Sequence, residues 1–137
     1  MATQTDGIRV LLVDDQRMVR EAIRSLLETV QSIDVVGEAA NGAEAIASVG
    51  KLNPQVVVMD IKMSQMDGIA ATRLVRRHYP NIAVVGFSVS EDNSHKSAME
   101  KAGAFRVMTK GTHGLTELCQ EIEKAAVTTQ FLSRARR

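Results

Sequence analysis

The sequence is poor in the residue types that build disulfides and zinc sites. It contains one cysteine and three histidines among 137 residues. A lone Cys119 cannot form an intramolecular disulfide, which agrees with a reducing compartment, and its helical spacing among apolar neighbours predicts a small core residue rather than a nucleophile. The histidines, His78, His95 and His113, lack the spacing of metal ligands, so we expect them at surface or boundary positions.

Long apolar runs and a strong excess of one charge are missing as well. The N-terminal MATQTDG has no apolar stretch of signal-peptide length, and no run approaches the roughly 20 residues of a membrane span. We therefore expect a cytoplasmic protein that does not enter a membrane. The formal net charge of +1 argues against bulk electrostatic binding to nucleic acid.

What is present is the composition of an ordinary globular domain. Hydrophobic residues make up 45% of the chain and charged residues 24%, and the length fits one domain with a sizeable core. We predict an N-terminal tail over residues 1–7, one domain over residues 8–127, and a C-terminal tail or start of a linker over residues 128–137. The basic end of that last segment, SRARR, is expected to be loose.

Apolar strand patterns alternate with amphipathic helix patterns along the domain. The predicted strands are residues 8–13, 33–37, 56–59, 82–87 and 105–108, and a helix pattern follows each of them. Near-continuous apolar strands predict an α/β fold with a parallel sheet covered by helices on both faces. At this length, right-handed crossovers favour a doubly wound, flavodoxin-like (βα)5 arrangement with a five-stranded sheet of order 2-1-3-4-5.

Reactive side chains lie at or just beyond the ends of four predicted strands. Asp14 and Asp15 follow the first strand, Asp60 the third, Ser88 the fourth and Lys110 the fifth. Ligands of open parallel sheets bind beyond the carboxyl ends of the strands, near the point where the strand order reverses. We therefore expect three carboxylates to converge on one cleft, with a hydroxyl and an ammonium group arriving from the other side.

This set of side chains suits phosphoryl chemistry. Clustered carboxylates repel one another and favour a bound cation, and oxygen ligands without a nearby Cys or His suit Mg²⁺ better than zinc. An aspartate can attack phosphorus to form an acyl phosphate, and Asp60 is best placed because its strand is central. Lys110 would pair with one phosphoryl oxygen, and Ser88 would donate a hydrogen bond to another.

Each of these residues also has a structural explanation. Asp15 would cap the following helix well, while Asp60, Ser88 and Lys110 could be ordinary loop, turn and surface residues. Four strand ends of suitable type on one edge of one sheet are a much rarer coincidence than any single one. The combination therefore favours a functional site.

The same residues carry a resemblance to a known family. The order Val13-Asp14-Asp15, Met59-Asp60, Phe87-Ser88 and then Lys110 resembles the receiver domain of bacterial two-component response regulators, over about residues 8–127. The stretches VDDQRMVREAIRSLL and VVGEAANGAEAI look most like the subgroup whose receivers precede a LuxR-type helix-turn-helix domain.

The resemblance implies specific roles at the site. Asp60 would accept a phosphoryl group from a histidine kinase or phosphotransfer protein. Asp15 and Asp60 would bind Mg²⁺ directly, Asp14 through water, and the backbone carbonyl of Lys62 would complete the protein ligands. Lys110 would be the phosphate-pairing lysine. The chain would catalyse only its own phosphotransfer and dephosphorylation and would not be an enzyme in the usual sense.

The resemblance also implies how the signal would be tuned and read out. Residues Lys62, Val89 and Ser90 occupy positions that influence dephosphorylation, and Ser88 occupies the switch hydroxyl position. Phosphorylation would repack residues 92–127, through which a homodimer could form. Nucleic acid would be bound only by an output domain absent from this chain, and no membrane partner is implied.

Three positions depart from the family pattern. Ser64 stands where proline is usual, Val107 where a tyrosine or phenylalanine usually couples to the switch hydroxyl, and Val89 where a small residue is usual. These departures motivate an alternative, a receiver-like docking module that does not switch. A phosphatase of the haloacid-dehalogenase type is a further alternative, although its D-x-D pattern would place an acid where Lys62 stands. Flavin binding is weaker, because Asp14 and Asp15 would repel the flavin phosphate.

Overall fold

The computed structural model describes residues 7–111 and 113–135, with the side chains of the last helix described as far as residue 129. Strands and helices alternate along this part of the chain. The strands are β1 (Ile8–Val13), β2 (Ile33–Ala39), β3 (Val56–Met59), β4 (Ala83–Ser88) and β5 (Arg106–Thr109). The helices are α1 (Arg17–Leu27), α2 (Gly42–Leu52), α3 (Gly68–His78), α4 (Asn93–Ala102) and α5 (Leu115–Ala135).

The five strands form one parallel sheet in the order β2-β1-β3-β4-β5, which confirms the predicted doubly wound topology. Val13 of β1 pairs with Met59 of β3, and Met59 pairs with Gly86 of β4. The central strands therefore end at nearly the same level, and the residues that follow them meet at one edge of the sheet.

Both faces of the sheet are buried because successive strand residues point to opposite sides and helices cover each side. One apolar cluster joins the sheet to α1 and α5 through residues such as Leu27 and Ile122. The second joins it to α2, α3 and α4 through Val49, Val75 and Met99. A sheet that is held from both sides gives the strand ends a rigid base.

The boundaries of the strands differ by one or two residues from those predicted. β4 and β5 each begin and end one residue later, and β2 continues past Gly37 to Ala39. A Cβ atom on Gly37 would lie 2.5 Å from Cδ1 of Leu52. Glycine at this position therefore makes room for a side chain of α2 and does not end the strand.

The last helix is longer than predicted. It continues as one helix from Leu115 to Ala135, which takes in residues 133–135 of the SRARR segment that we expected to be loose. That residues 128–137 are a tail or the start of a linker stays a prediction. The sequence after Leu115 contains no glycine or proline to stop a helix, and this explains the difference. Residues 136 and 137 lie outside the described part of the chain.

Capping residues fix several helix ends. Asn41, Asp67 and Asp92 each accept a backbone N–H of α2, α3 or α4 at 2.8–2.9 Å, as N-caps do. Gly103 ends α4 with a φ of 114°, in the left-handed region that glycine adopts readily. None of the helices in the described part of the chain has both the length and the apolar character needed to cross a membrane.

Candidate functional site

Three carboxylates meet at the ends of β1 and β3. Asp14, Asp15 and Asp60 each have an oxygen atom within 4.8 Å of the others. Asp14 and Asp60 are buried, with 2% and 7% of their surface exposed, whereas Asp15 is exposed. The structure therefore brings together the three acids that the sequence placed at these strand ends.

Backbone contacts hold the two buried acids. The Asp60 N–H donates to the Val13 carbonyl at 3.0 Å, and Oδ1 of Asp60 accepts the N–H of Ile61 at 2.8 Å. Oδ1 of Asp14 accepts the N–H of Gln16 at 2.9 Å. Gln16, not Asp15, is the residue that precedes α1, and its side chain makes no capping bond. Helix capping therefore does not explain Asp15.

Lys110 and Ser88 approach the acids from β5 and β4. The ammonium group of Lys110 forms an ion pair with Oδ2 of Asp14 and lies 5.9 Å from the centre of the Phe87 ring. The Lys110 N–H donates to the Ser88 carbonyl at 2.8 Å, and the Ser88 side chain is buried. Phe87 is a site residue that sequence reasoning missed, although it lies directly before Ser88.

Burial raises the pKa of Asp60 from its ordinary value of 3.8 to about 6. Lys110 opposes this increase, Asp14 adds to it because its carboxylate is also negative, and hydrogen bonds from Ile61 and Ser88 oppose it. At neutral pH the Asp60 carboxylate is therefore still mostly ionised, and it is available as a nucleophile or a metal ligand.

The donor set at this edge fits a hard divalent cation. Among the described residues, Asp14, Asp15 and Asp60 are the one group of three or more His, Cys, Asp or Glu side chains that could share a metal ion. Their donors are all oxygen, and two of the carboxylates are buried against each other. Such a set suits Mg²⁺ and not zinc.

The loop between β3 and α3 is held by backbone hydrogen bonds. Gly68 donates to the Ile61 carbonyl at 2.7 Å, and Gly42 at the start of α2 donates to the Met66 carbonyl at 2.9 Å. Gln65 and Met66 have φ values of 50° and 79°, a conformation that costs non-glycine residues energy. Proline at position 64 is thus not the only way to fix this loop.

Comparison with known proteins places this site in a family. The family model for the response regulator receiver domain matches residues 10–123, most of the chain. The chain belongs to the response regulator receiver domain family. Receiver domains bind Mg²⁺ at an acidic aspartate cluster, and the acids at the ends of β1 and β3 form such a cluster.

Individual relatives agree with this assignment. The response regulator GacA of Pseudomonas viridiflava is 39% identical over 126 residues, which cover 92% of this chain and 58% of that protein. The response regulator protein VraR of Staphylococcus saprophyticus is 46% identical over 94 residues, which cover 68% of this chain and 45% of that protein. This receiver domain thus spans between two fifths and three fifths of the length of these curated relatives.

Solved receiver structures share the fold. A LuxR-family two-component response regulator from Aurantimonas sp. SI85-9A1 superposes with a TM-score of 0.84 at 32% identity, covering 90% of this chain and 87% of that one. The response regulator domain of Thermotoga maritima CheB gives a TM-score of 0.81 at 30% identity, with 88% and 96% coverage. The LuxR-family likeness seen in the sequence is therefore confirmed.

The remaining predicted positions of the receiver domain follow β3 and β4 or lie on β5. Lys62 is exposed two residues after Asp60, and Val89 is 72% exposed after β4. Ser90 is half-buried, and its N–H donates to Oγ of Ser88 at 3.3 Å. Val107 is buried in the apolar cluster that joins the sheet to α4. A valine, and not an aromatic residue, packs at this position.

The histidines and the cysteine of the receiver domain lie outside the acidic cluster. His78 is exposed, and His95 and His113 are half-buried, in agreement with the expected surface or boundary positions. Nδ1 of His113 accepts the N–H of Thr109 at 3.0 Å. Cys119 is half-buried against the cluster under α5, and burial raises the pKa of its thiol. It is thus a packing residue, as predicted.

Proposed function

We propose that Asp60 is the phosphoacceptor of this receiver domain, with a histidine kinase or a phosphotransfer protein as donor. The observation that supports this most directly is the position of the Asp60 carboxylate. It is buried, mostly ionised at neutral pH, and surrounded by two further acids and the ion pair of Lys110.

The proposed step is a displacement at phosphorus. A carboxylate oxygen of Asp60 forms a bond to phosphorus as the bond from phosphorus to the donor imidazole nitrogen breaks. The nitrogen keeps the electron pair and takes up a proton from solvent, and Asp60 becomes an acyl phosphate. Asp14, Asp15, Asp60 and the backbone carbonyl of Lys62 would hold Mg²⁺, which supplies neutralisation of the charge on the transferring group.

Lys110 and Ser88 would stabilise the transferred phosphoryl group. The ammonium group of Lys110 would exchange part of its contact with Asp14 for a phosphoryl oxygen, and the Ser88 hydroxyl would donate a hydrogen bond to another. Lys62, two residues after Asp60, and Val89 and Ser90, directly after Ser88, would set the rate of dephosphorylation. A receiver domain that is joined to an output domain, as in the longer relatives, would pass the signal to that domain.

Phosphoryl labelling tests this proposal. The purified chain is incubated with a radiolabelled small phosphodonor, with Mg²⁺ or with EDTA, beside the variants Asp60→Asn and Asp34→Asn. Asp34 is an exposed carboxylate on β2 and serves as the matched control. We expect Mg²⁺-dependent label in the wild type and in Asp34→Asn and none in Asp60→Asn. Label that survives in Asp60→Asn would contradict the assignment.

A second candidate is a receiver-like docking module that does not switch. The burial of Val107, in place of an aromatic residue that could move, favours this candidate. Amide NMR spectra of residues 92–127, recorded with and without saturating beryllofluoride and Mg²⁺, separate the two candidates. Shifts spread along α4, β5 and the start of α5 indicate switching, and unchanged spectra indicate a docking module.

A further inference from the structure

Arg20, in the second turn of α1, contacts the loop that carries the acidic pair. Its Nη1 atom donates to the backbone carbonyl of Asp14 at 2.7 Å, and its Nε atom donates to Oε1 of Glu38 at 2.7 Å. Only 15% of its side chain is exposed. The guanidinium group is therefore held between the end of β1 and the neighbouring strand β2.

This position is not one that helix stability favours. The first turn of α1 contains no acidic residue and begins with Arg17, although the N-terminal end of a helix favours negative charge. A second arginine one turn later adds positive charge near that same end. The contacts that Arg20 makes outside its helix must offset this disadvantage.

Glu38 orients the Arg20 guanidinium. Its Oε2 atom accepts a hydrogen bond from Nη1 of Arg24 at 2.7 Å, so the carboxylate lies between two arginines. The hydrogen bonds from Arg24 and then Arg20 hold the pKa of Glu38 below its ordinary value, so Glu38 is ionised at neutral pH. Arg24 is bonded to Glu38 and Glu28, whereas Arg20 is bonded to Glu38 and to the Asp14 carbonyl.

The Asp14 carbonyl bonded to Arg20 determines where Asp15 lies. The N–H of Asp14 donates to the Ala39 carbonyl at 3.1 Å, so the backbone is fixed on both sides of Asp14. Because a peptide unit is planar, fixing its oxygen also fixes the direction to the Cα atom of Asp15. No hydrogen bond or ion pair from another side chain of the described residues holds the Asp15 carboxylate, so its position depends on the backbone.

We propose that Arg20 is a positioning residue for the Asp14-Asp15 pair, with Glu38 as its orienting partner. This inference rests on the proposed function, because it assigns the pair to Mg²⁺ binding. Loss of Arg20 has two opposite consequences. Removal of a positive charge near the acids strengthens cation binding, whereas a loosened carbonyl weakens it.

Arg20 and Arg24 variants separate these consequences. The ¹⁵N-labelled wild type, Arg20→Gln and Arg24→Gln are each titrated with Mg²⁺ and followed through the amide signals of residues 14–16. Residues that orient metal ligands typically contribute 10- to 100-fold to metal affinity, so we expect about 10-fold weaker binding in Arg20→Gln. Arg24→Gln also removes one positive charge that pairs with Glu38, but Arg24 makes no bond to the Asp14 carbonyl. We expect the Mg²⁺ affinity of this variant to equal or exceed that of the wild type.

A further variant keeps the inference testable if Arg20→Gln does not fold. Arg20→Lys retains the positive charge but lacks the planar fork that serves two acceptors, so it is expected to bind Mg²⁺ more weakly than the wild type. In the metal-free protein, the amide of Asp14, which donates to the Ala39 carbonyl, should exchange faster with solvent in both Arg20 variants than in Arg24→Gln. Equal Mg²⁺ affinity and equal exchange in the Arg20 and Arg24 variants would overturn the inference.

The labelling experiment keeps this inference separate from the proposed function. A wild type that is labelled on Asp60, with Arg20 variants that bind Mg²⁺ normally, contradicts the positioning role alone. A wild type that binds Mg²⁺ in an Arg20-dependent way but is never labelled contradicts the proposed function alone. Absence of Mg²⁺ binding to the wild type contradicts both.

Discussion

Asp60 combines two properties that oppose each other, burial and negative charge. Its carboxylate is removed from water and lies beside Asp14, and either feature alone favours the protonated form. Lys110 reduces the repulsion through its ion pair with Asp14 but does not abolish it. In the absence of a cation, the ionised Asp60 carboxylate therefore destabilises the folded state. The same negative charge is what makes it a nucleophile and a metal ligand.

Neutralising Asp60 should make the metal-free protein more stable. The pKa of Asp60 is about 6 in the folded protein and near 3.9 in an unfolded chain. Between about pH 4 and pH 6, Asp60 is therefore mostly protonated in the folded protein and mostly ionised in the unfolded chain. Stability from this group is present below about pH 4 and is lost as the pH rises through about 6. We expect Asp60→Asn to raise the free energy of unfolding at pH 7.5 by on the order of 1–3 kcal/mol in EDTA.

Urea unfolding at several pH values measures this effect. The gain in Asp60→Asn over wild type should grow from about pH 4 to about pH 6 and then level off. Asp34→Asn, at an exposed carboxylate, should show no such profile. If Asp60→Asn is less stable than the wild type at pH 7.5 in EDTA, the ionised Asp60 carboxylate does not destabilise the folded protein.

Gly68 lies against the backbone of Asp60 and should not tolerate a side chain. A Cβ atom at this position would be 1.9 Å from the Asp60 carbonyl oxygen, a backbone atom that cannot turn away. We expect Gly68→Ala to lower the free energy of unfolding by at least about 1–3 kcal/mol. We also expect slower phosphoryl labelling, since the backbone that carries Asp60 must shift.

Gly114→Ala is the matched control for this substitution. A Cβ atom on Gly114 would meet no atom within 4 Å, so its unfolding midpoint and labelling rate should remain close to those of the wild type. Equal stability of the two alanine variants would mean that the contact between Gly68 and Asp60 relaxes easily.

The loop between β3 and α3 shows how one element can secure another. Its family pattern has proline, which restricts the backbone, where this chain has Ser64. The N-terminal turn of α2 compensates, because Gly42 and Ala43 donate to the Met66 and Gln65 carbonyls at 2.9 and 3.3 Å. These partners lie more than twenty residues earlier in the chain, so no local pattern around Ser64 could reveal them.

Helix α4 is tied to the site by a short chain of polar contacts. Oγ of Ser90 lies 3.0 Å from Nδ1 of His95, and the N–H of Ser90 donates to Oγ of Ser88. We expect His95→Ala to weaken the start of α4 by about 1 kcal/mol, which corresponds to roughly fivefold faster amide exchange at Asn93–Met99. Hydrogen exchange followed by NMR measures this change.

Two other histidine variants test whether the effect of His95→Ala comes from its contact with Ser90. His95→Asn keeps an acceptor near the place of Nδ1 and should restore most of the protection in α4. His78→Ala, at an exposed position at the end of α3, should leave α4 unchanged. If the amides of α4 exchange as slowly in His95→Ala as in the wild type, the contact between Ser90 and His95 does not stabilise the start of α4.

For the whole molecule, the sequence was sufficient where the physical signal is local or periodic. Alternating apolar strands and helices predicted the sheet order, and the acids at the ends of β1 and β3 predicted the cluster. Contacts between distant segments left no such signal. The arrangement of Arg20, Glu38 and the Asp14 carbonyl joins three elements, and nothing in the order of these residues along the chain indicates it.

Activation is expected to change the assembly of the molecule through residues 92–127. A phosphate mimic that draws the Ser88 hydroxyl inward favours whichever arrangement of that face it contacts better, and a symmetric dimer uses the same face twice. The exposed Val127 and the ion pair between Arg106 and Glu121 at 3.2 Å lie on this segment. We expect sedimentation equilibrium to give a monomer mass without ligand and a dimer mass with beryllofluoride and Mg²⁺.

Asp60→Asn is the control for this assembly, because it lacks the group that the mimic modifies, and it should remain monomeric under both conditions. A wild type that keeps one mass in both conditions would contradict dimerisation through this face. That result would not bear on the proposal that Asp60 is the phosphoacceptor, which the labelling experiment tests separately.

The uninterrupted α5 also gives the molecule a lever arm. Its 21 residues extend for about 30 Å at 1.5 Å per residue, and buried Leu118 and Ile122 anchor its first half to the sheet. About 20 Å of the helix lies beyond Ile122, so a tilt of about 5° at the anchored half would displace the far end by roughly 2 Å. Movements at the strand ends too small to alter the fold would thus be magnified at a point remote from Asp60.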